Sequence, residues 1–131
     1  MVLSTDRHKS ILIIEDEPDI REAIAEEISS AGFTVHTAEN GEVGLAKALE
    51  HEPDLILLDI KMPIMNGQEV LQKLRQDPWG QSAKIIMLTS MDDTRNIATA
   101  HQGEIVDYII KAHHSLEEIL AKVREAVYTE K

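Results

Sequence analysis

The segment Leu55-Ile56-Leu57-Leu58-Asp59 sets the architecture of this chain, because four consecutive apolar residues end in a carboxylate. A short apolar run of this kind is typical of a strand that is covered on both faces. Ser10–Ile14, which continues into Glu15-Asp16-Glu17, has the same pattern. Tyr108–Ile110 has it too and continues into Lys111. If these runs are neighbouring parallel strands, their carboxyl ends bring acids and one lysine together at one edge of the sheet.

Strand patterns and helix patterns alternate along the chain, with no linker between them. This alternation predicts an α/β fold in which right-handed crossovers join the strands of one parallel sheet. The more polar second strand is typical of a sheet edge, and Asp107 indicates an edge at the last strand. The five predicted strands are Ile11–Ile14, Thr34–Ala38, Leu55–Leu58, Ile85–Leu88 and Val106–Ile110.

Apolar residues at helical spacing predict a helix after each strand. Pro18 marks the start of the first helix and Gly32 its end, while Asn40 can cap the second. Ser115-Leu116-Glu117-Glu118 predicts a capping box for the fifth, and the fourth, near Asp92 to His101, has the weakest pattern. The apolar positions are Ile20, Ile24 and Ile28 in the first helix, Val43, Leu45, Ala46 and Leu49 in the second, Val70, Leu71 and Leu74 in the third, Ile97, Ala98 and Ala100 in the fourth, and Leu116, Ile119, Leu120, Val123 and Val127 in the fifth.

Length and composition indicate one domain with an aliphatic core. The 131 residues have the usual size of a single domain, so residues 1–131 are predicted to form one. Apolar residues make up 43% of the chain and aromatic residues only 3%. The chain has no cysteine, which excludes disulfides and thiolate metal sites.

Charge and hydropathy limit the partners and the location. A formal net charge of −11 disfavours direct binding to nucleic acid or to anionic membranes. No apolar run approaches the roughly 20 residues that span a bilayer, and the first residues lack the apolar core of a signal peptide. A cytoplasmic location is therefore predicted.

The acids at the predicted edge of the sheet are the candidate functional residues. Glu15, Asp16 and Asp59 would repel one another there unless a cation lies among them, so a metal site is expected. The same crowding makes Asp59 a candidate acceptor of a phosphoryl group. Glu17 is explained by its place at a helix N-terminus, where negative charge is favourable.

Five segments, in order along the chain, resemble the receiver domain of bacterial two-component response regulators. The resemblance covers about Lys9 to Val127. It implies a flavodoxin-like, doubly wound (βα)5 sheet with the strand order 2-1-3-4-5. The matching segments are Ile13-Ile14-Glu15-Asp16-Glu17-Pro18, Leu57-Leu58-Asp59-Ile60-Lys61-Met62-Pro63, Met65-Asn66-Gly67, Leu88-Thr89-Ser90 and Asp107-Tyr108-Ile109-Ile110-Lys111.

This resemblance also implies a phosphoacceptor site that works with Mg²⁺. Asp59 would accept the phosphoryl group. Asp16 would bind Mg²⁺ directly, and Glu15 would bind it directly or through water. The backbone carbonyl of Lys61 would be a further ligand. Oxygen ligands of this kind suit a hard cation, and a carboxylate nucleophile forms an acyl phosphate.

Three further residues acquire roles from the resemblance. Thr89 would supply the hydroxyl that closes on the phosphoryl group, and Tyr108 would be an aromatic switch. Lys111 would pair with Asp59 or with its phosphate, as a compact positive charge can.

The position after Lys111 departs from the family pattern. Lys111 is followed by Ala112, where receiver domains usually have a proline that is often reached through a cis peptide bond. A cis bond before alanine costs roughly 2.5–4 kcal/mol, so the Lys111–Ala112 bond is predicted to be trans. The long side chain of Lys111 is still expected to reach Asp59.

The leading interpretation is a signalling switch in a His-Asp phosphorelay, rather than an enzyme. Its phosphodonor would be a sensor histidine kinase or a phosphotransfer protein. Only four residues follow Val127, so the output is expected to be a partner protein, bound by the face of the fourth helix, last strand and fifth helix.

Three alternatives stay open at this point. An aspartyl-phosphate phosphatase would place an acid two residues after its nucleophile, where this chain has Lys61. An FMN-binding flavodoxin would need a Ser/Thr/Gly-rich loop in place of Glu15-Asp16-Glu17. A pseudo-receiver would bind partners without being phosphorylated, and Ala112 keeps that alternative open.

Overall fold

Five parallel strands form the centre of the molecule: β1 (Ser10–Ile14), β2 (Thr34–Ala38), β3 (Leu55–Asp59), β4 (Ile85–Thr89) and β5 (Asp107–Ile110). The structure, a computed structural model, describes residues 9–90 and 105–129. The spatial order of the strands is β2-β1-β3-β4-β5. This order confirms the predicted flavodoxin-like topology, with β2 and β5 at the edges.

Within the described residues, four helices pack on the sheet: α1 (Pro18–Ser30), α2 (Gly41–His51), α3 (Gly67–Gln76) and α4 (Leu116–Tyr128). They correspond to the first, second, third and fifth predicted helices. The fourth predicted helix, near Asp92 to His101, lies outside the described residues. In the part of the chain described, every helix is too short or too polar to cross a membrane.

The register of the strands brings their carboxyl ends close to one level. Ile14 pairs with Leu58 across β1 and β3. Asp59 pairs with Leu88, and one residue later Thr89 pairs with Ile110. The residues that end or follow these strands therefore share one edge of the sheet, as the sequence predicts.

Each central strand is buried on both faces, which explains its unbroken apolar sequence. In β1, Ile11 and Ile13 belong to the core formed with α1 and α4. Leu12 and Ile14 point the opposite way and belong to the core that includes residues of α2 and α3. Side chains that alternate across a strand thus fill two separate cores.

Small residues bring α2 close to the sheet. Its buried positions are Gly41, Gly44 and Ala48, whereas Leu49 is 41% exposed. A Cβ atom at Gly44 would lie 2.5 Å from Cδ1 of Ile14, so only glycine permits this approach. The closest contact of α2 with the sheet is therefore made by these small residues, and not by the large apolar residues that the sequence analysis named in this helix. Leu116, the first apolar position of α4, is also exposed.

The helix ends follow the predicted local rules. The side chain of Asn40 accepts a hydrogen bond from the Val43 amide, and Ser115 with Glu118 forms a capping box. Gly32 follows α1 with a φ of 105°, which favours glycine. A second capping box, between Asn66 and Glu69, begins α3 and was not predicted.

Candidate functional site

All the buried polar or charged side chains in the described residues gather at one edge of the sheet. They are Glu15, Asp59 and Thr89, which are 0%, 3% and 0% exposed. Asp59 ends β3, the central strand, with Glu15 after β1 on one side and Thr89 at the end of β4 on the other. Buried polar groups need hydrogen-bond or ion partners. This cluster is therefore the candidate functional site of the described residues.

Lys111 supplies the positive charge of the site. Its Nζ lies 2.6 Å from Oε1 of Glu15 and 3.2 Å from Oδ1 of Asp59, and its side chain is 16% exposed. The Glu15 contact is a charge pairing without hydrogen-bond geometry. The expectation that Lys111 reaches Asp59 is confirmed, although its shorter contact is with Glu15.

The backbone after β5 holds Lys111 in place. The Lys111 amide donates to the carbonyl oxygen of Thr89 at 2.8 Å, which extends the pairing of β5 with β4. No cis peptide bond occurs among the described residues, so the bond before Ala112 is trans. That prediction is confirmed.

The loop after β1 carries a compact group of acids. Carboxylate oxygens of Glu15, Asp16 and Glu17 lie within 4.8 Å of one another. Oε2 of Glu15 accepts from the Glu17 amide at 3.0 Å, and Oε1 of Glu17 is 3.9 Å from Nζ of Lys111. Glu17 therefore lies closer to the site than its predicted role at the helix N-terminus implied.

Sequence reasoning did not single out Arg21. Nη1 of Arg21 donates to the carbonyl oxygen of Glu15 at 2.8 Å, beside the acid group. The available signal was a cation near the N-terminus of α1, where the helix dipole disfavours positive charge.

Burial and charge shift the proton affinities at the site. Burial first, and then the charge of Glu15, raise the pKa of Asp59 to about 8, against the lowering effect of Lys111. Burial lowers the pKa of Lys111, but its contacts with Glu15 and Asp59 outweigh this and raise that pKa above its usual value. The site therefore strongly favours an added positive charge.

The residues of the site fit a divalent cation with oxygen ligands. Oδ2 of Asp59 is buried and has no hydrogen-bond partner in the described residues. An unpaired buried carboxylate oxygen beside other acids is unfavourable without a counter-ion. Mg²⁺ prefers such oxygen ligands and keeps several waters, so a few carboxylates suffice.

Residues 11–124 match the family described as the response regulator receiver domain. This chain belongs to that family. A curated relative, the response regulator ArlR of Staphylococcus aureus, is 39% identical over 114 residues. That alignment covers 87% of this receiver domain chain and 50% of ArlR, so the chain spans about half the length of the curated relatives it matches.

Solved structures of receiver domains have the same fold. A CheY-like receiver domain protein of Methanospirillum hungatei is 29% identical with a TM-score of 0.83, over 91% of this chain and 93% of that one. Chemotaxis protein CheY4 of Vibrio cholerae is 25% identical with a TM-score of 0.83, over 90% and 98%. The receiver domain of sensor histidine kinase PA1611 from Pseudomonas aeruginosa, 23% identical with a TM-score of 0.83 over 92% and 98%, has a magnesium ion coordinated in its active site cleft.

The remaining predicted residues of this receiver domain lie at the end of β4, in β5 and just after β3. The Thr89 hydroxyl donates to the Ser90 carbonyl at 3.0 Å. Tyr108, in β5, is 37% exposed and is paired in register with Met87 of β4. Lys61 lies two residues after Asp59, with an exposed side chain.

The loop after Asp59 turns sharply. The Gly67 amide donates to the carbonyl of Ile60 at 2.8 Å, and a Cβ atom at Gly67 would lie 2.3 Å from the carbonyl oxygen of Asp59. Glycine is therefore required where α3 begins against the end of β3. The segment that carries Lys61 is thereby closed into a short loop between β3 and α3.

Proposed function

We propose that Asp59 accepts a phosphoryl group and that this receiver domain is a signalling switch in a His-Asp phosphorelay. The observation that carries the proposal is the state of the Asp59 carboxylate. It is buried at the end of the central strand, has one oxygen 3.2 Å from Lys111 and leaves the other without a hydrogen-bond partner in the described region. A structural carboxylate would have both oxygens paired.

The chemistry is an in-line phosphoryl transfer. A carboxylate oxygen of Asp59 attacks phosphorus, the bond to the donor atom breaks, and the electron pair of that bond leaves with the donor. The product is an acyl phosphate. Such a transfer depends mainly on positioning and charge neutralisation, which Lys111 supplies from its place beside Asp59.

Mg²⁺ would be held by the carboxylates of Asp16, Asp59 and Glu15 and by the backbone carbonyl of Lys61. When bound, it neutralises the charge that develops on the phosphoryl oxygens. The acids of the loop after β1 support this assignment, because their oxygens already lie within 4.8 Å of one another.

Thr89 and Tyr108 would carry the signal away from Asp59. The Thr89 hydroxyl would turn from the Ser90 carbonyl towards the phosphoryl group, and Tyr108 would turn inward. A ligand shifts a conformational equilibrium only through differential affinity, so the new contacts of the phosphate must favour the active state. The readout surface would include β5, α4 and the fourth predicted helix.

The phosphodonor would be a sensor histidine kinase or a phosphotransfer protein, met in the cytoplasm, and the output would be a downstream protein. The domain would act as a substrate of its donor and as a switch, with no turnover of a separate substrate. Direct contact with nucleic acid is not part of the proposal, because a net charge of −11 opposes it.

Incubation with acetyl phosphate and Mg²⁺, followed by intact mass, tests the proposal. We expect a gain of one phosphoryl group that Asp59→Asn abolishes. Asp54→Asn, at the residue just before β3, is the control and should leave the gain unchanged.

Three results would contradict the proposal. A gain that persists in Asp59→Asn places the acceptor elsewhere. Continuous release of inorganic phosphate without a stable adduct indicates a phosphatase. No gain and no released phosphate indicate a pseudo-receiver.

A further inference from the structure

Arg21 contacts the main chain that carries the acids, and not the acids themselves. Its Nη1 donates to the carbonyl oxygen of Glu15 at 2.8 Å and lies 3.5 Å from that of Asp16. Within the described residues, Arg21 makes no ion pair with a carboxylate. The guanidinium therefore contacts the backbone and does not itself pair with the acids.

The position of Arg21 opposes a local preference. It is the fourth residue of α1, whose first residue is Pro18, and a positive charge near a helix N-terminus is unfavourable. Departures of this kind are expected at functional sites, where another interaction offsets them. Here the offset is a charge-assisted hydrogen bond to Glu15, a stronger bond than a neutral one.

Several hydrogen bonds hold the acid loop, and Arg21 supplies the one at the Glu15 carbonyl. The Glu15 amide donates to the carbonyl of Ala38 in β2 at 3.0 Å. The Glu17 amide donates to the Glu15 carboxylate at 3.0 Å. The carbonyl side of the Glu15–Asp16 peptide is held by Arg21. Since this peptide plane leads directly to the Cα atom of Asp16, its orientation sets the direction of the Asp16 side chain.

We infer that Arg21 is a positioning residue of the metal site, which orients the Asp16 carboxylate by holding the Glu15–Asp16 peptide. This inference rests on the proposed function, because it assumes that Asp16 binds Mg²⁺. Groups that hold metal ligands typically contribute 10–100-fold to metal affinity. Arg21 acts one peptide away from the ligand, so an effect of about tenfold is expected.

The charge of Arg21 and its positioning contact predict opposite changes in Mg²⁺ affinity when Arg21 is replaced. A cation close to a metal site repels the metal, so removal of the charge alone would strengthen Mg²⁺ binding. Loss of a positioning contact would weaken it. Lys47 offers a matched control, because it lines the same crevice as Arg21 at the carboxyl end of β2 and donates to the Thr37 carbonyl of β2 at 2.5 Å.

Calorimetric titration with Mg²⁺, on the whole chain and without a phosphodonor, distinguishes the two roles. Arg21→Met should raise the Kd by about tenfold, whereas Lys47→Met should leave it unchanged or lower it. Arg21→Lys, which keeps one donor and the charge, should fall between the unsubstituted protein and Arg21→Met. Hydrogen exchange at the Asp16 and Glu17 amides should be faster in Arg21→Met. Circular dichroism checks that each variant is folded, and if Arg21→Met is not, Arg21→Lys decides.

The possible failures separate the inference from the proposed function. An Mg²⁺ affinity that is equal or higher in both Arg21 variants overturns the positioning role, while labelling of Asp59 by acetyl phosphate can still succeed. An equal loss of affinity in Arg21→Met and Lys47→Met also overturns it, because a general effect of the crevice would then suffice. No Mg²⁺ binding by the unsubstituted protein removes the metal site, and with it both proposals.

Discussion

At the scale of single residues, Asp59 lies where its ionised carboxylate lowers the stability of the folded protein. Its carboxylate is 3% exposed and lies near the charge of Glu15, so the ionised form is disfavoured in the folded protein. Groups with such a raised pKa are common at functional sites, because the environment that disfavours the negative charge also favours binding of a cation.

Asp59→Asn should stabilise the protein in Mg²⁺-free buffer. The folded-state pKa is about 8, above the unfolded value of 3.8, so ionisation of Asp59 lowers the free energy of unfolding progressively as pH rises from about 4 to 8. One pKa unit corresponds to about 1.4 kcal/mol, so the gain should reach several kcal/mol at pH 8 and be small at pH 4. Urea denaturation at several pH values measures it. Glu22→Gln, an exposed change of the same charge in α1, is the control. A gain independent of pH would contradict the explanation.

Lys111→Met should destabilise the protein, because it leaves Glu15 and Asp59 without their shared cation. Removal of one partner of a buried ion pair costs roughly 3–5 kcal/mol, and we expect about 3 kcal/mol in Mg²⁺-free buffer, since the lysine is 16% exposed. The same substitution in Asp59→Asn should cost less, because only one carboxylate remains unpaired. Equal costs in the two backgrounds would mean that Lys111 and Asp59 do not interact.

At the scale of the elements, close approach explains positions that hydrophobic patterns do not. The α2 helix contacts β1 through Gly44, where an added Cβ would lie 2.5–2.8 Å from three side-chain atoms of Ile14. A glycine inside a helix is usually unfavourable by about 1 kcal/mol relative to alanine. Here the contact that glycine permits outweighs that preference.

Gly44→Ala should therefore destabilise the protein by about 1–3 kcal/mol, against the direction of helix propensity. Ile14→Val removes Cδ1 and should recover part of the loss when it is combined with Gly44→Ala. Ala46→Gly, at an exposed position of α2, calibrates the propensity alone. Thermal denaturation of the four variants gives the coupling, and a stabilised Gly44→Ala would show that α2 can move away from β1.

At the scale of the whole molecule, the register of the sheet connects Asp59, the proposed acceptor, to the surface at β5. Asp59 ends β3, Thr89 ends the adjacent β4, and Tyr108 lies in β5 at the edge. A change at Asp59 can therefore reach β5 through one intervening strand. Packed elements of this kind shift between discrete arrangements, so the response should be confined to this side of the sheet.

Phosphorylation, or its mimic beryllofluoride, should alter the ring environment of Tyr108 more than that of Tyr128. Although Tyr128 belongs to α4, it lies at the helix end next to Lys84, which precedes β4, and so at the opposite end of the sheet from Asp59. The two tyrosines are 37% and 45% exposed, so they form a matched pair, with Tyr128 at the end of α4. Selective ¹³C labelling of tyrosine makes both signals visible by NMR. Thr89→Ala should still bind the mimic but reduce the Tyr108 shift. A shift of the same size without the Thr89 hydroxyl would exclude the proposed coupling.

Local periodicity was enough to predict most of the framework. The strand that ends at Asp59 and the caps at Asn40 and Ser115 follow from residue types within a few positions of one another. The strand order came from the resemblance to receiver domains, because alternation alone allows several orders of five strands. The meeting of Glu15, Asp59 and Lys111 then follows from that order and from strand ends at one level.

What the amino-acid pattern alone established is the set of elements and the chemical character of the edge where their carboxyl ends meet. Contacts between elements distant in the chain needed the folded arrangement. The close approach of Gly44 to Ile14 and the shared pairing of Lys111 depend on how helices and loops lie against the sheet. The bond from Arg21 to the Glu15 carbonyl depends on a side-chain direction that helical spacing does not specify. Hydrophobic period reports which face of an element is buried, but the distance between two packed faces is a property of both together.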